Sequence, residues 1–109
     1  MPAVFDVPAD GPLLASEADA IDLIGATYGS GADIVAIPLE RFAPEFWDLR
    51  NRLAGHFIQK FVTYGLRVAI VGDISQPTAK SLSLRDFVRE SNARGRELVF
   101  VSSREGLEG

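Results

Sequence analysis

The sequence predicts a single α/β domain with a mostly parallel sheet. Three short apolar runs, at 34–37, 68–71 and 98–101, have the length and β-branched content of strands that are covered on both faces. Longer segments with the periodicity of amphipathic helices separate these runs. Buried strands that alternate with helices are typical of right-handed crossover units, which build parallel sheets. Because 109 residues suffice for one compact unit only, we expect residues 1–109 to form one domain.

The amino-terminal segment predicts an antiparallel addition to this sheet. Residues 4–7 alternate in polarity like a strand, and residues 13–15 predict a second short strand after the turn signal at 10–12. A hairpin of these two strands makes the expected sheet mixed. The predicted order is then β-β-α-β-α-β-α-β.

Three helices are expected between the strands. The first covers about 17–27, with Ser16 as its N-cap, and the third covers about 84–93, with Ser83 as its N-cap. The second and longest covers about 44–63, because apolar residues recur there at helical spacing after a proline suited to a first turn.

Two residues of the second predicted helix suggest contact with a partner. Gly55 lies in the helix interior, where glycine costs about 1 kcal/mol relative to alanine, so we expect close packing against another helix or a second subunit. Trp47 follows Phe46, and the two cannot share one narrow helix face. An exposed tryptophan is a typical anchor of protein interfaces.

The composition excludes several classes of site. The chain has no cysteine, which removes disulfides, thiolate catalysis and iron–sulfur clusters, and its one histidine, His56, cannot form a histidine-rich metal site. We therefore expect no cofactor and no metal. The apolar runs are too short to span a bilayer, and the first residues lack the basic and apolar regions of a signal peptide. These observations predict a cytoplasmic protein without a membrane partner.

The charges are unevenly distributed along the chain. Residues 1–40 hold seven acidic side chains and no lysine or arginine, whereas residues 41–109 hold eleven basic and eight acidic ones. The net charge of −4 argues against nucleic-acid binding, and the arginines from Arg85 to Arg104 alternate with acidic residues. The two halves either pair within the fold or form charged patches for a partner or an anionic ligand.

Polar residues follow the predicted parallel strands at their carboxyl ends, where α/β sheets usually bind ligands. Glu40 and Arg41 follow the first of these strands, and Asp73 and Ser75 follow the next. These four side chains indicate a small-molecule-binding domain or a minor enzyme, with a purely structural role in the loops as the alternative. The segment after Gly72 lacks the spacing of a P-loop, and no nucleophile elbow occurs, so the sequence identifies no catalytic residue.

Five segments resemble a known family in order and spacing. They are 46–55 (FWDLRNRLAG), 59–61 (QKF), 69–73 (AIVGD), 85–87 (RDF) and 90–92 (ESN). They look like the bacterial domain-of-unknown-function family 4180, which implies a small bacterial cytosolic protein and brings no particular activity. The strand order is also similar to that of the STAS-like domains, which act by protein–protein contact. Residues 40–45, where those domains carry a phosphorylatable serine or threonine, hold no hydroxyl group, so that switch is not expected here.

The polar side chains of the family-like segments are candidates for a functional surface, because packing alone does not explain them. An ion pair of Arg50 with Asp73 or Glu90, and a helix-ending role for Asn92, are the structural alternatives. Our leading hypothesis is a regulatory or protein-interaction module that binds an unidentified protein or a second copy of itself, as a homodimer. The candidate binding residues are Glu40, Arg41, Trp47, Asp48, Arg50, Gln59, Asp73, Ser75, Glu90 and Asn92.

Overall fold

A computed structural model describes residues 3–107 as a parallel sheet with helices packed on it. The strands are β1 (Val4–Asp6), β2 (Ile34–Pro38), β3 (Arg67–Val71) and β4 (Leu98–Val101). Each strand pairs in parallel with the next one along the chain, giving the order β1-β2-β3-β4. The predicted α/β class is confirmed.

Four α-helices connect the strands, namely α1 (Glu17–Ala26), α2 (Leu53–Thr63), α3 (Ser75–Ala79) and α4 (Leu82–Arg94). Helix α1 begins at the predicted N-cap, where the Ser16 hydroxyl and the Asp19 carboxylate each accept the other residue's amide hydrogen. Helix α4 is capped by Ser81, two residues before the predicted Ser83. Within residues 3–107, no helix combines the length and the apolar character needed to cross a membrane.

The predicted amino-terminal hairpin, and with it the mixed sheet, is wrong. Strand β1 pairs in parallel with β2, and residues 13–15 contribute only an isolated bridge between Leu14 and Phe42. The Val7 amide continues the parallel pairing by donating to the carbonyl of Ala36. Residues 8–12 then leave the sheet as a loop that the side chain of Arg41 holds through its carbonyls. Strand β1 therefore pairs with the free edge of β2 and does not pair with residues 13–15 across the local turn.

The predicted second helix is interrupted before residue 53. Pro44–Trp47 and Leu49–Asn51 form separate 3₁₀ turns, and Arg52 has a left-handed backbone with φ of 61°. The side chain of Asp48 accepts a hydrogen bond inside the second turn, and the side chain of Asn51 accepts one from the first amide of α2. Short polar side chains that bind nearby backbone groups compete with a continuous helix, which explains the break.

The main core lies on one face of the sheet. A sequential parallel sheet with right-handed crossovers carries its connecting helices on the same side. Alternate residues of the strands therefore point toward the helices, and these residues are buried in one cluster together with aromatic side chains of α2. The largest side chains among the most deeply buried members of this cluster are Val35, Ile37, Val68, Ile70, Phe46, Phe57 and Phe61.

The opposite face of the sheet carries smaller side chains and is covered by the end of the chain. Ala36 and Ala69 are buried on this face. After β4 the chain turns back as a 3₁₀ helix, Arg104–Leu107, and the Arg104 Nε donates to a carboxylate oxygen of Asp6 at 2.6 Å. Because β1 and β4 are the two outer strands, this ion pair joins opposite edges of the sheet.

Candidate functional site

Arg41 holds a loop instead of facing a ligand. Its side chain is buried, and Nε donates to the carbonyl of Pro12 at 3.1 Å while Nη1 donates to the carbonyl of Pro8 at 2.8 Å. A Cβ on Gly11 would lie 2.9 Å from the guanidinium carbon, so the loop packs directly against it. The guanidinium group of Arg41 therefore holds residues 8–12 in place through their carbonyl groups. The neighbouring Glu40 is exposed.

Asp73 and Ser75 are joined to each other at the end of β3. The Asp73 carboxylate accepts the Ser75 amide hydrogen at 2.9 Å, and hydrogen bonds from the Ser75 side chain and backbone lower the pKa of Asp73. Gly72 precedes them with φ of 150°, and a Cβ there would lie 2.7 Å from the Leu39 side chain, so this position needs glycine. Both polar residues are exposed and shape the start of α3.

Asp48 and Arg50 form an ion pair with each other. Arg50 Nε and Nη2 donate to the two carboxylate oxygens of Asp48 at 2.9 and 3.0 Å, so the predicted pairing of Arg50 with Asp73 or Glu90 is wrong. The side-chain hydrogen bond from Arg50 lowers the pKa of Asp48. The pair borders a shallow groove of about 490 Å³ that also contacts Lys80. Because Arg50 is 90% exposed, solvent screens this pair and it adds little stability.

Trp47 is half-buried within an aromatic cluster. Its ring lies 5.0 Å from that of Phe46 and 5.5 Å from that of Phe42, both edge-on, and 6.3 Å from that of Phe100. Phe46 is 1% exposed, so it is the tryptophan that keeps a solvent-facing edge, beside the Asp48–Arg50 pair. Its main contacts are nevertheless with the core.

A concave surface that the sequence did not predict lies between α2 and α4, and we call it the α2/α4 groove. Two adjoining cavities of about 350 and 470 Å³ form it, and Gly55, Gln59 and Phe87 line both. Its apolar surface comes from Ile58, Phe87 and Leu98 together with the bare backbone at Gly55. The remaining lining residues are Leu49, Arg52, Ala54, His56, Ser91, Arg94, Arg96 and Glu97.

Gly55 faces open space in the floor of this groove. A Cβ built there meets no atom within 4 Å, so the predicted close packing against another helix of this chain is wrong. Packing against a second subunit stays a prediction. The residue is helical and exposed, so no backbone strain or contact within residues 3–107 explains why a glycine stands here. An occupant whose backbone approaches α2 closely is one physical explanation.

The rim of the α2/α4 groove is mainly basic. Arg52, Arg94 and Arg96 are exposed among the lining residues, and one lining residue, Glu97, is acidic. Arg94 is 4.0 Å from the carboxylate of Glu90 one helical turn away, a distance at which an exposed pair is weak. A guanidinium group can bind a carboxylate or a phosphate through two parallel hydrogen bonds, so this rim is suited to anionic groups.

Asn92 has a structural task that the sequence did not indicate. Its side-chain oxygen accepts the amide hydrogen of Phe100 at 2.7 Å, which joins α4 to the edge strand β4. The predicted helix-ending role belongs instead to Gly95, which has φ of 62°. Glu90 is exposed on the same helix.

Of the ten candidate binding residues, the structure brings two sets into contact. Trp47, Asp48 and Arg50 line one groove together, and Asp73 with Ser75 forms one loop. Gln59 alone of the ten lines the α2/α4 groove. Sequence reasoning missed Phe87, Arg94 and Arg96 there, although the spacing of Phe87, Ser91 and Arg94 along α4 places them on one helix face. Within residues 3–107 no group of three or more acidic or histidine side chains is arranged to hold a metal ion.

Comparison with known proteins gives one match. The family model described as "Domain of unknown function (DUF4180)" matches residues 2–109. No curated protein and no solved structure matches the chain, so the similarity to STAS-like domains stays a prediction.

Proposed function

We propose that this chain, which belongs to the DUF4180 family, is a protein-interaction module that holds an acidic helical segment of a partner in the α2/α4 groove. The observation that carries the proposal is an apolar groove with an unexplained glycine at its centre and arginines along its rim. Grooves of this kind bind the apolar face of an amphipathic helix.

The dimensions of the groove favour a helical segment over a small molecule. On α2 the lining runs from Ala54 to Gln59, and on α4 from Phe87 to Arg94, so the two walls are about 8 and 10 Å long at the helical rise of 1.5 Å per residue. The floor at Gly55 has no side chain, which allows the backbone of an incoming helix to lie close to α2. A helix of about two turns matches this length and shape.

The charge of the rim favours an acidic partner. Three exposed arginines and one glutamate line the groove, so a segment with carboxylates on both flanks would gain charge-assisted hydrogen bonds. Such rim charges mainly accelerate association and select the partner, whereas the apolar floor supplies most of the affinity.

Binding of a small molecule at the carboxyl ends of the strands has less support. Arg41 uses its donors on loop carbonyls, and Asp73 binds the amide of Ser75, so neither side chain is held ready for a ligand. A regulatory role, bacterial origin and a cytoplasmic location, which the family resemblance suggests, belong to this proposal as expectations.

The test is a titration of the isotopically labelled protein, followed by amide NMR spectra, with a synthetic amphipathic peptide. The peptide carries leucines on one helix face and glutamates on both flanks. We expect saturable shifts at the amides of Gly55, Phe87 and Ser91, which weaken as salt is added. A matched peptide with lysines in place of the glutamates is expected to bind far more weakly, because it meets the arginine rim.

The variant Gly55→Glu serves as the control on the protein. It fills the floor and adds an acidic group, while glutamate is a good helix former and leaves α2 intact. We expect it to abolish the shifts caused by the glutamate peptide. Equal binding of both peptides, or shifts located away from the groove, would overturn the proposal.

A further inference from the structure

Helix α1 carries an apolar stripe that faces solvent. Ala18, Ile21 and Gly25 are exposed on one face of α1, with Ile21 49% accessible, and Tyr28, 92% accessible, lies two residues beyond the end of the helix. The inward face of the same helix is buried against the core through Ala20 and Ile24. An amphipathic surface helix normally presents polar residues to solvent, so the outward stripe needs an explanation.

Acidic residues flank this stripe. Glu17 and Asp22 are exposed on α1, and neither the helix nor any other part of residues 1–40 contains a lysine or arginine. The stripe from Ala18 to Gly25 extends for about 10 Å at the helical rise, so its length is close to that of the walls of the α2/α4 groove. Helix α1 thus has the apolar face, the small residues and the acidic flanks required of the groove's occupant.

We infer that the occupant of the α2/α4 groove is α1 of a second copy of this chain. The inference rests on the proposed function and names its partner. The acidic half of one copy then meets the basic rim of the other, which gives the uneven charge distribution a physical role. Close approach of α1 at Gly55 also explains the missing side chain in the groove floor.

The helix cannot occupy the groove of its own chain. It packs against α2 on the side away from α4, and Glu17 lies 3.6 Å from Lys60 of α2. Because α1 and the groove flank α2 in the same helical layer, a two-fold axis near α2 places each α1 in the groove of the other copy. The resulting interface is isologous, with two identical contacts, and it closes as a dimer.

The oligomeric state tests this inference directly. We expect sedimentation equilibrium of the full chain to show a reversible monomer–dimer equilibrium between low and high micromolar concentration. The variants Ile21→Glu on the stripe and Gly55→Glu in the groove should each remain monomeric over this range. The matched control Leu82→Glu replaces another exposed apolar residue, 67% accessible at the start of α4, and should dimerise like the unmodified chain. Circular dichroism verifies that all three variants are folded.

Mixing the two monomeric variants identifies the contact. The Ile21→Glu chain retains an intact groove and the Gly55→Glu chain retains an intact α1, so the mixture can form one of the two contacts. We expect the mixture to associate measurably where each variant alone does not. Absence of recovery would overturn the pairing of α1 with the groove, and a monomeric unmodified chain would overturn dimerisation. Binding of the glutamate peptide by that monomer would still support the proposed function, so the two proposals fail separately.

Discussion

Replacing Gly55 with alanine is expected to raise the free energy of unfolding by about 1 kcal/mol, because alanine is that much more favourable than glycine inside a helix. The structure offers no steric penalty to offset this gain, since a Cβ at residue 55 meets no atom within 4 Å. Unfolding entropy is about 2.1 cal/mol/K per residue, so for a chain of 109 residues the melting temperature should rise by about 4 °C.

The assay is thermal unfolding followed by far-UV circular dichroism at low micromolar concentration. Gly65→Ala is the matched control, because a Cβ there also meets no atom within 4 Å but the backbone has φ of 72°. A left-handed conformation costs a non-glycine residue about 1 kcal/mol or more, so this variant should melt at a lower temperature. If Gly55→Ala also lowers the melting temperature, the description of Gly55 as facing open space is incorrect.

The same alanine separates stability from association. A methyl group in the floor of the groove keeps the second helix farther from α2, so we expect Gly55→Ala to weaken dimerisation while it stabilises the monomer. Opposite effects of one substitution on stability and on binding are typical of positions that serve a binding surface.

Three further predictions concern the polar contacts. Arg41→Met should lower the free energy of unfolding in urea by about 3 kcal/mol, since the hydrogen bonds from the buried guanidinium group to the carbonyls of Pro8 and Pro12 are lost. Arg41→Lys should recover only part of this loss, and stability equal to that of the unmodified chain would contradict the loop-holding role. Asn92→Ala should cost about 1 kcal/mol and accelerate hydrogen exchange at the Phe100 amide, whereas unchanged exchange would show that this bond does not protect the edge strand. The pKa values of Asp48 and Asp73 are lower in the folded protein than in the unfolded chain. The free energy that these two carboxylates contribute to folding is therefore present above the unfolded pKa of about 3.9, and it is lost as the pH falls through the folded pKa values. As the pH falls below about 4, the free energy of unfolding should therefore decrease less for the double variant Asp48→Asn with Asp73→Asn than for the unmodified chain. An identical decrease would show that these two carboxylates do not have lowered pKa values.

The parallel core could be predicted from the sequence because its strands are continuous apolar, β-branched runs, a signal that each strand carries in its own residues. Residues 34–37 and 68–71 lie within strands of the structure. The hairpin prediction failed because the turn signal at 10–12 is local and does not show that β2 has a free edge. At that edge β1 pairs with a strand longer than residues 13–15. Register and direction of a short strand are decided by such distant contacts.

The interrupted second helix shows a different limit. The apolar spacing of Phe46, Leu49, Leu53 and Phe57 suits a continuous helix, yet two 3₁₀ turns and a left-handed Arg52 bury the same side chains. This error also affected the prediction of the candidate site, because a continuous helix over 44–63 gives no indication that a groove lies between α2 and α4. Gln59 could be selected by its polarity, whereas Phe87 could not, because apolar periodicity does not distinguish a core position from a groove floor.

The agreement between strand order and chain order affects how the protein is made. Each strand pairs with the strand synthesised immediately before it, so a chain that emerges from the ribosome can dock every strand–helix unit as soon as that unit is complete. The ion pair of Arg104 with Asp6 is different, because it joins residues 98 positions apart. A nascent chain that lacks residues 104–107 can therefore form the helical layer in full, while the other face of its sheet stays uncovered until those residues have been synthesised.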